Sequence, residues 1–475
     1  MKLYIFVIIL FFQFFSAIAQ SSFEYILDDP IDHLGGAMIE DSGGNIFISV
    51  TNYQFAKLIK LNNEGILIDS IDILNPANGM CELFHLLKVD NNKFMAFGKY
   101  NTDTTFNLWA VTFDYNFNII GDTKIPVNGN ISPIYQYAII NNIGNIVIFS
   151  SYELSPTNWD IMLHELSVDG NIIKEKLLDG FGMASDIIQL PSSEYRIIVY
   201  GHVRNPLINS YCLDTNFEIV NSYSVPLDLD FHNTIKLLND TTLLITGNKI
   251  FPERDNERDL GLAKTDLSNN LIDHMYYGKP DTVDYATVHS NLDFISENDI
   301  YYSGISNLNL SNPYFSHMPS WFVLNKIDSN LNLKWQKFYG GDACYFPWAI
   351  LATQDGGCVM AGTRYDYKTQ TNQERDLYVL KVDGGGLITW SQGIPINNQS
   401  TTVYPNPGTD FFYVNTNNKK LYFELVNMNG QIVIEQILDN NHKYINTQTL
   451  ESGIYFYRLI DKKNKIVETG KWMKL

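Results

Sequence analysis

Short apolar runs alternate with polar turns through most of the chain, and they recur at a nearly constant spacing. Between Gln20 and Pro395, each unit has an apolar strand, a polar turn and a second apolar strand that ends at a small residue. Seven second strands are recognisable: Asn45–Val50, Phe94–Gly98, Asn145–Ser150, Ile197–Gly201, Leu243–Gly247, Ile300–Gly304 and Cys358–Gly362. Counted at their last residues, the spacings are 48, 52, 51, 46, 57 and 58, with a mean of 52. A period of this length predicts a stack of similar modules.

Two more strands complete the unit. Third strands are clearest at Asn107–Asp114, Asp259–Asp266, Trp321–Asp328 and Asp376–Asp383, and Leu333–Phe338 is a fourth strand. Four strands in about 50 residues are typical of a β-propeller blade. Helical periodicity is hard to find after residue 20. The pattern therefore predicts an all-β chain, with a propeller of about seven four-stranded blades over residues 20–395.

The way in which this propeller closes stays open at the level of sequence. Phe23–Leu27 reads as an extra strand before the first full copy, and such a strand often completes the last blade of a propeller. Leu387–Ser391 could instead be that blade's own fourth strand. Counts of six or eight blades therefore also remain open.

The last two copies are the sharpest, and they contain the glycine-rich turns Gln354–Gly357 and Tyr339–Gly341. They resemble a loosely defined class of secreted bacterial propeller repeats over Trp321–Trp390. Neither a Trp-Asp signature nor a clear kelch pattern is present, so this resemblance implies a fold and no function.

The first residues have the organisation of a secretory signal peptide. Lys2 precedes an apolar run, Leu3–Phe15, and Ala17-Ile18-Ala19 is a small-residue cleavage site that would leave Gln20 first. Thirteen helical residues span about 20 Å, which is short of a hydrocarbon core of about 30 Å. We therefore predict Sec-dependent passage to the periplasm, with cleavage between Ala19 and Gln20.

A short polar linker, residues 396–401, leads into a compact tail, Thr402–Leu475. About seven short strands are expected there, with candidates at Phe411–Val414, Leu421–Val426, Gln431–Ile437, Gly453–Ile460 and Ile466–Lys471. Asn427–Gly430 predicts a hairpin turn. Pro405 and Pro407 keep the start of the tail away from a central strand position.

The tail closely resembles the type A C-terminal sorting domain of the type IX secretion system of Gram-negative bacteria. The matching residues are Tyr404, Pro405, Asn406, Pro407, Gly430, Gly453, Tyr455, Lys471 and Lys474. The resemblance implies an immunoglobulin-like sandwich that the outer-membrane translocon recognises and that is usually cleaved after export. The cargo is then released or attached to surface lipopolysaccharide. The chain is thus expected outside the cell or on the outer-membrane surface.

Charge separates these two regions. The chain has a net charge of −19, yet the tail, with nine Lys/Arg and seven Asp/Glu, is about +2. Lys2 adds one charge in the leader, which leaves about −22 on the middle region. Because a surface with this negative charge repels a phosphate backbone, nucleic acid is not expected as a partner.

The four cysteines do not form a disulfide scaffold or a metal motif. Cys81, Cys212, Cys344 and Cys358 contain no CxxC spacing. A turn near Asp355 would pair Cys358 with Ala352 and not with Cys344, so a bridge between those two cysteines is not favoured. The sequence leaves the disulfide state open.

No short catalytic, metal or cofactor motif is present, so no catalytic residue, metal ligand or cofactor is predicted. His164-Glu165 lacks the second histidine of a zinc motif. Asp114–Asn118 and Asp328–Asn332 mimic the start of a calcium loop but lack its glycine and its final acidic residue. Because they occur at one repeat position, we interpret them as Asx turns between strands.

Candidate contact residues are therefore sought by position. Residues on or near first strands should line the central channel, and most are expected to be structural: Glu82, His85, Asp186, His232, Tyr345 and Trp348. Long loops between second and third strands are better candidates for binding: Lys249–Arg258, Asn307–Pro319 and Arg364–Arg375. Tyr314, Phe315 and His317 on the second loop form a candidate ligand-contact surface.

Three functions remain in view at this stage. The favoured one is an exported propeller that binds a glycan or a protein without chemistry. The alternative is an extracellular hydrolase or lyase with a carboxylate-based site on one propeller face. A third is a scaffold or spacer in a surface layer.

Overall fold

The computed structural model describes the chain from residue 21 onward in a series of ranges. These are residues 21–52, 54–75, 79–102, 105–126, 132–155, 158–200, 209–226, 229, 233–254, 257–279, 282–287, 289–369, 373–388, 401–416, 421–427, 432–438, 444–460 and 466–475. The chain divides into two compact units, Met1–Thr389 and Trp390–Leu475. The predicted signal peptide with Ala19 and Gln20, His232, Gly430 and most of the predicted linker lie outside the described residues.

The first unit consists of antiparallel sheets that follow one another along the chain. The first strand of the unit is β1 (Phe23–Leu27). Blade 1 contains β2 (Leu34–Glu40), β3 (Ile46–Thr51), β4 (Ala56–Leu61) and β5 (Leu67–Ile73). Blade 2 contains β6 (Cys81–Lys88), β7 (Lys93–Thr102), β8 (Thr105–Asp114) and β9 (Ile119–Ile125). Blade 3 contains β10 (Ser132–Ile140), β11 (Ile146–Ser155), β12 (Asn158–Leu166) and β13 (Ile172–Leu178).

The remaining blades repeat the same order. Blade 4 contains β14 (Met183–Gln189), β15 (Tyr195–Tyr200), β16 (Ser210–Leu213) and β17 (Ile219–Tyr223). Blade 5 contains β18 (Ile235–Asn239), β19 (Thr242–Phe251), β20 (Glu257–Asp266) and β21 (Leu271–Tyr277). Blade 6 contains β22 (Tyr285–Ala286), β23 (Leu292–Ser296), β24 (Asp299–Ser306), β25 (Trp321–Ile327) and β26 (Leu333–Gly340). Blade 7 contains β27 (Cys344–Ala352), β28 (Cys358–Tyr365) and β29 (Asp376–Val382).

Seven sheets thus form a propeller in the described part of residues 21–388, which confirms the predicted fold class. All seven second strands occur where the repeat places them, with ends that shift by a few residues. The sixth blade departs from the pattern because its first strand is split, so that β22 and β23 both pair with β24. Among the described residues no α-helix occurs, and Pro252–Arg254 forms a short 3-10 turn. No described helix has the length and apolar character that a membrane crossing requires.

The N-terminal strand closes the ring. β1 pairs antiparallel with β29, from Phe23 opposite Lys381 to Leu27 opposite Leu377, and supplies the fourth strand of blade 7. Leu387 and Ile388 follow the last turn without joining a strand, and the rest of the competing candidate lies outside the described residues. Closure by the beginning of the chain therefore holds the last blade against the first.

The hydrophobic cores lie between neighbouring blades. One cluster joins blades 1 and 2 and includes Phe47, Phe94 and Phe113, and another joins blades 6 and 7 through Tyr301, Phe322 and Tyr378. Each sheet is therefore covered on both faces, so second strands such as β3 are buried along their whole length. This double burial explains why those strands read as continuous apolar runs in the sequence.

Among the described residues, six of the seven blade interfaces also share one polar contact. A basic side chain of one blade donates a hydrogen bond to a main-chain carbonyl of the next blade. The acceptor is the second residue of the turn that connects the third and fourth strands of that next blade. The donor and acceptor pairs are Lys60 to Tyr115, Lys93 to Val168, Lys174 to Thr215, Arg196 to Leu267, Lys264 to Ser329 and Lys326 to Gly384. The acceptor keeps its place in the repeat, whereas the donors come from different strands.

The two segments that resemble a calcium loop, Asp114–Asn118 and Asp328–Asn332, form Asx turns between third and fourth strands, as predicted. Asp114 Oδ1 accepts from the amides of Asn116 and Asn118 at 2.9 Å, and Oδ2 accepts from the Asn118 side chain at 2.8 Å. Asp328 makes the same three contacts with Asn330 and Asn332. The carboxylates that resembled a calcium loop are therefore occupied in holding the turn.

The second unit is a small sandwich of seven described strands. A three-stranded sheet contains β30 (Thr401–Tyr404), β31 (Phe411–Thr416) and β34 (Tyr444–Asn446). A four-stranded sheet contains β32 (Leu421–Val426), β33 (Ile432–Leu438), β35 (Gly453–Ile460) and β36 (Ile466–Lys474). The core between them includes Phe412, Phe423 and Trp472. β30 begins at Thr401, one residue before the predicted start of the tail, and it is an edge strand that ends immediately before Pro405.

All four cysteines are buried and free in the structure. Cys358 pairs with Ala352 across the hairpin, as the turn position predicted, and Cys344 pairs with Tyr365. The register thus separates the two cysteines that are nearest in sequence.

Candidate functional site

A cavity of about 470 Å³ occupies the centre of the propeller, where the first strands of all seven blades converge. Its wall is mostly aliphatic, with Ile139, Ile187 and Leu351 among the lining residues. The volume falls in the range of small-molecule sites, about 300–1,000 Å³. The cavity therefore has the size and apolar character of a binding pocket.

Three charged side chains from blades 4, 5 and 6 line this central cavity. Lys236 Nζ lies 3.5 Å from Asp293 Oδ1, and Asp293 Oδ2 accepts from the amide of Ala352 at 2.9 Å. Asp186 Oδ2 accepts from the amide of Ile235 at 3.0 Å. With all three ionised the group carries one negative charge.

Burial sets the protonation of these groups. It raises the pKa of the Asp186 carboxyl to about 6, against the opposing effects of Lys236 and two backbone amides. Burial also lowers the pKa values of His85 and His289 to about 4, so both imidazoles are neutral at neutral pH. For Lys236, burial is outweighed by Asp293 and Asp186, which raise its pKa above the usual value. The raised pKa therefore brings the ionisation of Asp186 towards neutral pH.

A row of rings leads from the cavity wall towards the long loop of blade 6. His85 and His289 flank Tyr137 at centroid distances of 6.3 and 6.1 Å. His289 stacks on Trp348, with 5.6 Å between the ring centroids. Tyr314 also stacks on Trp348, with 6.0 Å between the ring centroids and 4° between the ring planes. Trp348 Nε1 is buried without a hydrogen-bond partner among the described residues. The loop that carries Tyr314 therefore packs beside the channel, and Tyr314 itself is partly taken up by packing.

The other two predicted contact residues lie further out on the same loop. Phe315 packs edge-on against Tyr365 at 5.3 Å, and exposed His317 stacks on Tyr367 at 5.8 Å. Tyr365 and Tyr367 come from the end of β28 and the loop that follows it in blade 7. Since both loops connect a second strand to a third, they emerge on one face of the propeller. We refer to Phe315, His317 and Tyr367 as the loop aromatic surface.

An ion pair fixes the base of this surface. The Arg375 guanidinium lies over the ring of Phe315, with 4.6 Å between its central carbon and the ring centroid. Arg375 also binds Asp32 with two hydrogen bonds, Nε to Oδ1 at 2.8 Å and Nη2 to Oδ2 at 2.6 Å. A bidentate pair of this kind has little freedom of orientation. The ring of Phe315 is thus held on a rigid support.

Other residues named from the sequence have structural places. Glu82 pairs with Lys99 at 3.2 Å, and the Tyr345 hydroxyl donates to Asp342 at 2.7 Å. His164 is buried, and the Glu165 next to it pairs with Lys174 at 2.7 Å. Within the described residues, no group of three or more His, Cys, Asp or Glu is arranged to hold a metal ion.

Sequence reasoning missed several cavity residues. Lys236, Asp293, His289 and Tyr137 are brought together from separate blades, and no local motif marks them. Tyr367 was missed because its loop was noted only as a range. A search for polar residues at the first-strand position of every repeat would have found the charged group.

Hydrogen bonds join the start of the sorting motif, at Pro405 and Asn406, to the last strand of the tail. The Trp472 indole donates to Pro405 O at 2.8 Å, and the Asn406 side chain donates to Lys471 O at 2.7 Å. Lys474 is buried and its ammonium group donates to Thr447 O, whereas Lys471 is exposed. The start and the end of the tail are therefore held together, and the two motif lysines differ in their accessibility.

Comparison with known proteins identifies the tail. Residues 402–472 match the family described as secretion system C-terminal sorting domain, which confirms the resemblance found in the sequence. The sorting domain implies interaction with the type IX secretion machinery and export to the cell surface or the extracellular space. No curated protein matches the sequence of the whole chain.

Solved structures give weaker likenesses. A protein of unknown function from Bacteroides caccae has a TM-score of 0.39 and 12% identity, over 65% of this chain and 94% of its own. Polysaccharide lyase Uly1 has a TM-score of 0.44 and 10% identity, over 74% and 90% of the two chains. The AfRom2 CNH domain has a TM-score of 0.42 and 9% identity, over 78% and 100%. At these values the matches carry no information about activity.

Proposed function

We propose that this protein is cargo of the type IX secretion system and that its propeller binds an extracellular glycan without catalysing a reaction. The signal peptide, Met1–Ala19, takes the chain to the periplasm, and the tail takes it across the outer membrane. The propeller is then released or attached to surface lipopolysaccharide.

The loop aromatic surface carries the binding part of this proposal. Its rings stand on two neighbouring loops, and Tyr365 and Arg375 support them from below. Flat, partly exposed rings present an apolar face to which the C–H face of a sugar ring can pack, while the nearby polar groups can bind hydroxyls. Because the support is rigid, little side-chain entropy is lost on binding.

Glycan-array binding with the full-length mature chain tests this proposal. The unaltered chain should retain one class of glycan, and the double variant His317→Ala, Tyr367→Ala should bind at least about tenfold more weakly, since each stacked ring contributes about 1 kcal/mol. Met318→Ala on the same exposed loop is the matched control and should bind as before. Retention of no glycan by the correctly folded chain would contradict the proposal.

The central cavity supports a second candidate, an extracellular hydrolase or lyase. A cavity carboxyl whose pKa is raised to about 6 by burial is suited to proton transfer near neutral pH. Incubation with extracellular polysaccharides, followed by measurement of product, separates this function from simple binding. Turnover that Asp186→Asn abolishes, with glycan binding unchanged, would favour the enzyme over the binding module.

A further inference from the structure

The three-stranded sheet of the tail has an unusual outer face. Along β31, Phe412 and Val414 point into the core, so Phe411 and Tyr413 point outward. Tyr404 on β30 and Tyr444 on β34 lie on the same outer face, beside the inward-facing residues Val403 and Ile445. The four outward rings are between 37% and 49% exposed. We call them the aromatic patch.

The rings of the aromatic patch touch one another in sequence across the sheet. Tyr404 and Tyr413 lie 5.7 Å apart, and Tyr413 and Phe411 lie 5.6 Å apart, measured between ring centroids. Tyr444 lies 5.5 Å from Phe411 and 5.8 Å from Tyr413. Contiguous exposed apolar surface on a small folded domain marks an interaction site, and Tyr and Phe are enriched at the centres of protein interfaces.

Strand propensity alone does not account for this patch. Aromatic residues suit strands, and one cross-strand pair stabilises a sheet by about 0.2–1 kcal/mol. The outer face of the four-stranded sheet also carries aromatic residues that suit a strand, Tyr422 and Phe456. There the aromatic residues are combined with the ion pair of Glu424 and Arg458. Within the described part of the tail, four clustered rings without a charged residue among them occur on the three-stranded sheet and not on the four-stranded sheet.

We propose that the aromatic patch is the surface through which the tail docks on a protein of the secretion machinery. The proposal rests on the export function proposed above, which gives the tail that machinery as its partner. Tyr404 belongs both to the aromatic patch and to the sorting motif, and its neighbours Pro405 and Asn406 are fixed to β36. The patch is thus continuous with the residues by which the tail was identified.

Export of full-length variants tests the aromatic patch. Phe411→Thr combined with Tyr413→Thr should lower the amount of protein at the cell surface or in the medium at least tenfold, with accumulation in the periplasm. Tyr422→Thr combined with Phe456→Thr removes two rings of similar exposure, 39% and 45%, from the other sheet and should leave export unchanged. Thr is chosen because it keeps strand propensity at an outward position.

Two further measurements keep the outcomes distinct. Protease resistance of the tail in the purified chains must be equal for both double variants. If Phe411→Thr combined with Tyr413→Thr impairs folding, Tyr444→Thr alone is tested instead and should give a smaller export defect. Normal export of the patch variants, while a chain without its tail is retained, would overturn the aromatic patch and leave the export function intact. Dimerisation through the patch with unimpaired export would identify a second copy as the occupant and would also overturn the proposal.

Discussion

At the scale of single residues, Asp376 is the most unusually placed acid of the propeller. Its side chain is 3% exposed, and Oδ1 has no hydrogen-bond partner among the described residues. Arg364 Nη1 is 3.7 Å from Oδ2, too far for a hydrogen bond. Burial, followed by repulsion from Asp28 and Glu374, raises the pKa of Asp376 to about 7.

This raised pKa predicts that propeller stability falls as pH rises. In the unfolded chain the carboxyl has its ordinary pKa of about 3.9, so between about pH 4 and pH 7 the folded state binds the proton more tightly. Stability from this group is therefore greatest below pH 4 and is lost progressively up to pH 7. Each unit of pKa difference corresponds to about 1.4 kcal/mol.

Asp376→Asn should remove this dependence, because the amide has a similar shape and does not ionise. Urea unfolding of the full-length mature chain at pH 5 and pH 8 measures the effect. The unaltered propeller should lose more stability between the two pH values than the variant does. Asp273→Asn at an exposed site of β21 is the control and should change neither value by more than about 0.5 kcal/mol. An equal loss in Asp376→Asn and in the unaltered chain would contradict the assignment.

Residues of this kind could not be singled out from the sequence. Asp376 was visible as the start of a third strand, but its environment depends on Asp28, which lies about 350 residues earlier and is brought close by ring closure. The same holds for Lys236 and Asp293 in the central cavity. In contrast, Asp114 and Asp328 were correctly interpreted, because an Asx turn is a contact within five consecutive residues.

At the scale of elements, the ring depends on a strand from the opposite end of the propeller. Phe23 on β1 is fully buried and packs against the turn of blade 1 at Gly65. Gly65 has a φ of +79°, and a Cβ there would lie 2.4 Å from the Phe23 ring. Ser21 and Asp355 also bind the ammonium group of Lys381, at 2.8 and 2.7 Å. β1 therefore holds blades 7 and 1 together.

Truncation of Phe23 should accordingly weaken the whole ring. Phe23→Ala is expected to lower the free energy of unfolding by about 3–5 kcal/mol, because it opens a cavity at the closure. Ile120→Ala on the outer strand β9 removes an exposed aliphatic side chain and is the control, with a change within about 0.5 kcal/mol. Equal stability of the two variants in chemical denaturation would show that β1 is dispensable.

The positions of the strands could be predicted from the sequence more reliably than the strands with which they pair. Second strands were all recognised, since burial on both faces makes them continuous apolar runs. The split first strand of blade 6 was not recognised, because β22 has two residues and gives no periodic signal. Closure was left open because two apolar segments competed for one position, and only pairing across more than 350 residues distinguishes them.

At the scale of the whole molecule, the chain consists of a folded propeller and a folded C-terminal sorting domain. The tail has its own core, with Trp472 between the two sheets, and its ends are joined through Pro405 and Asn406. The charge follows the same division, since the middle region carries about −22 and the tail about +2. Two units with separate cores and short linkers are expected to fold independently.

Deletion of Thr402–Leu475 tests this account most directly. The shortened chain should accumulate in the periplasm, and its amount at the cell surface and in the medium should fall. Its propeller should resist protease as it does in the full-length chain. The measurement is fractionation of cells that express either chain, followed by limited proteolysis of the periplasmic fraction. Retention of a folded propeller is the predicted result, and appearance of the shortened chain at the cell surface in normal amount would contradict the account.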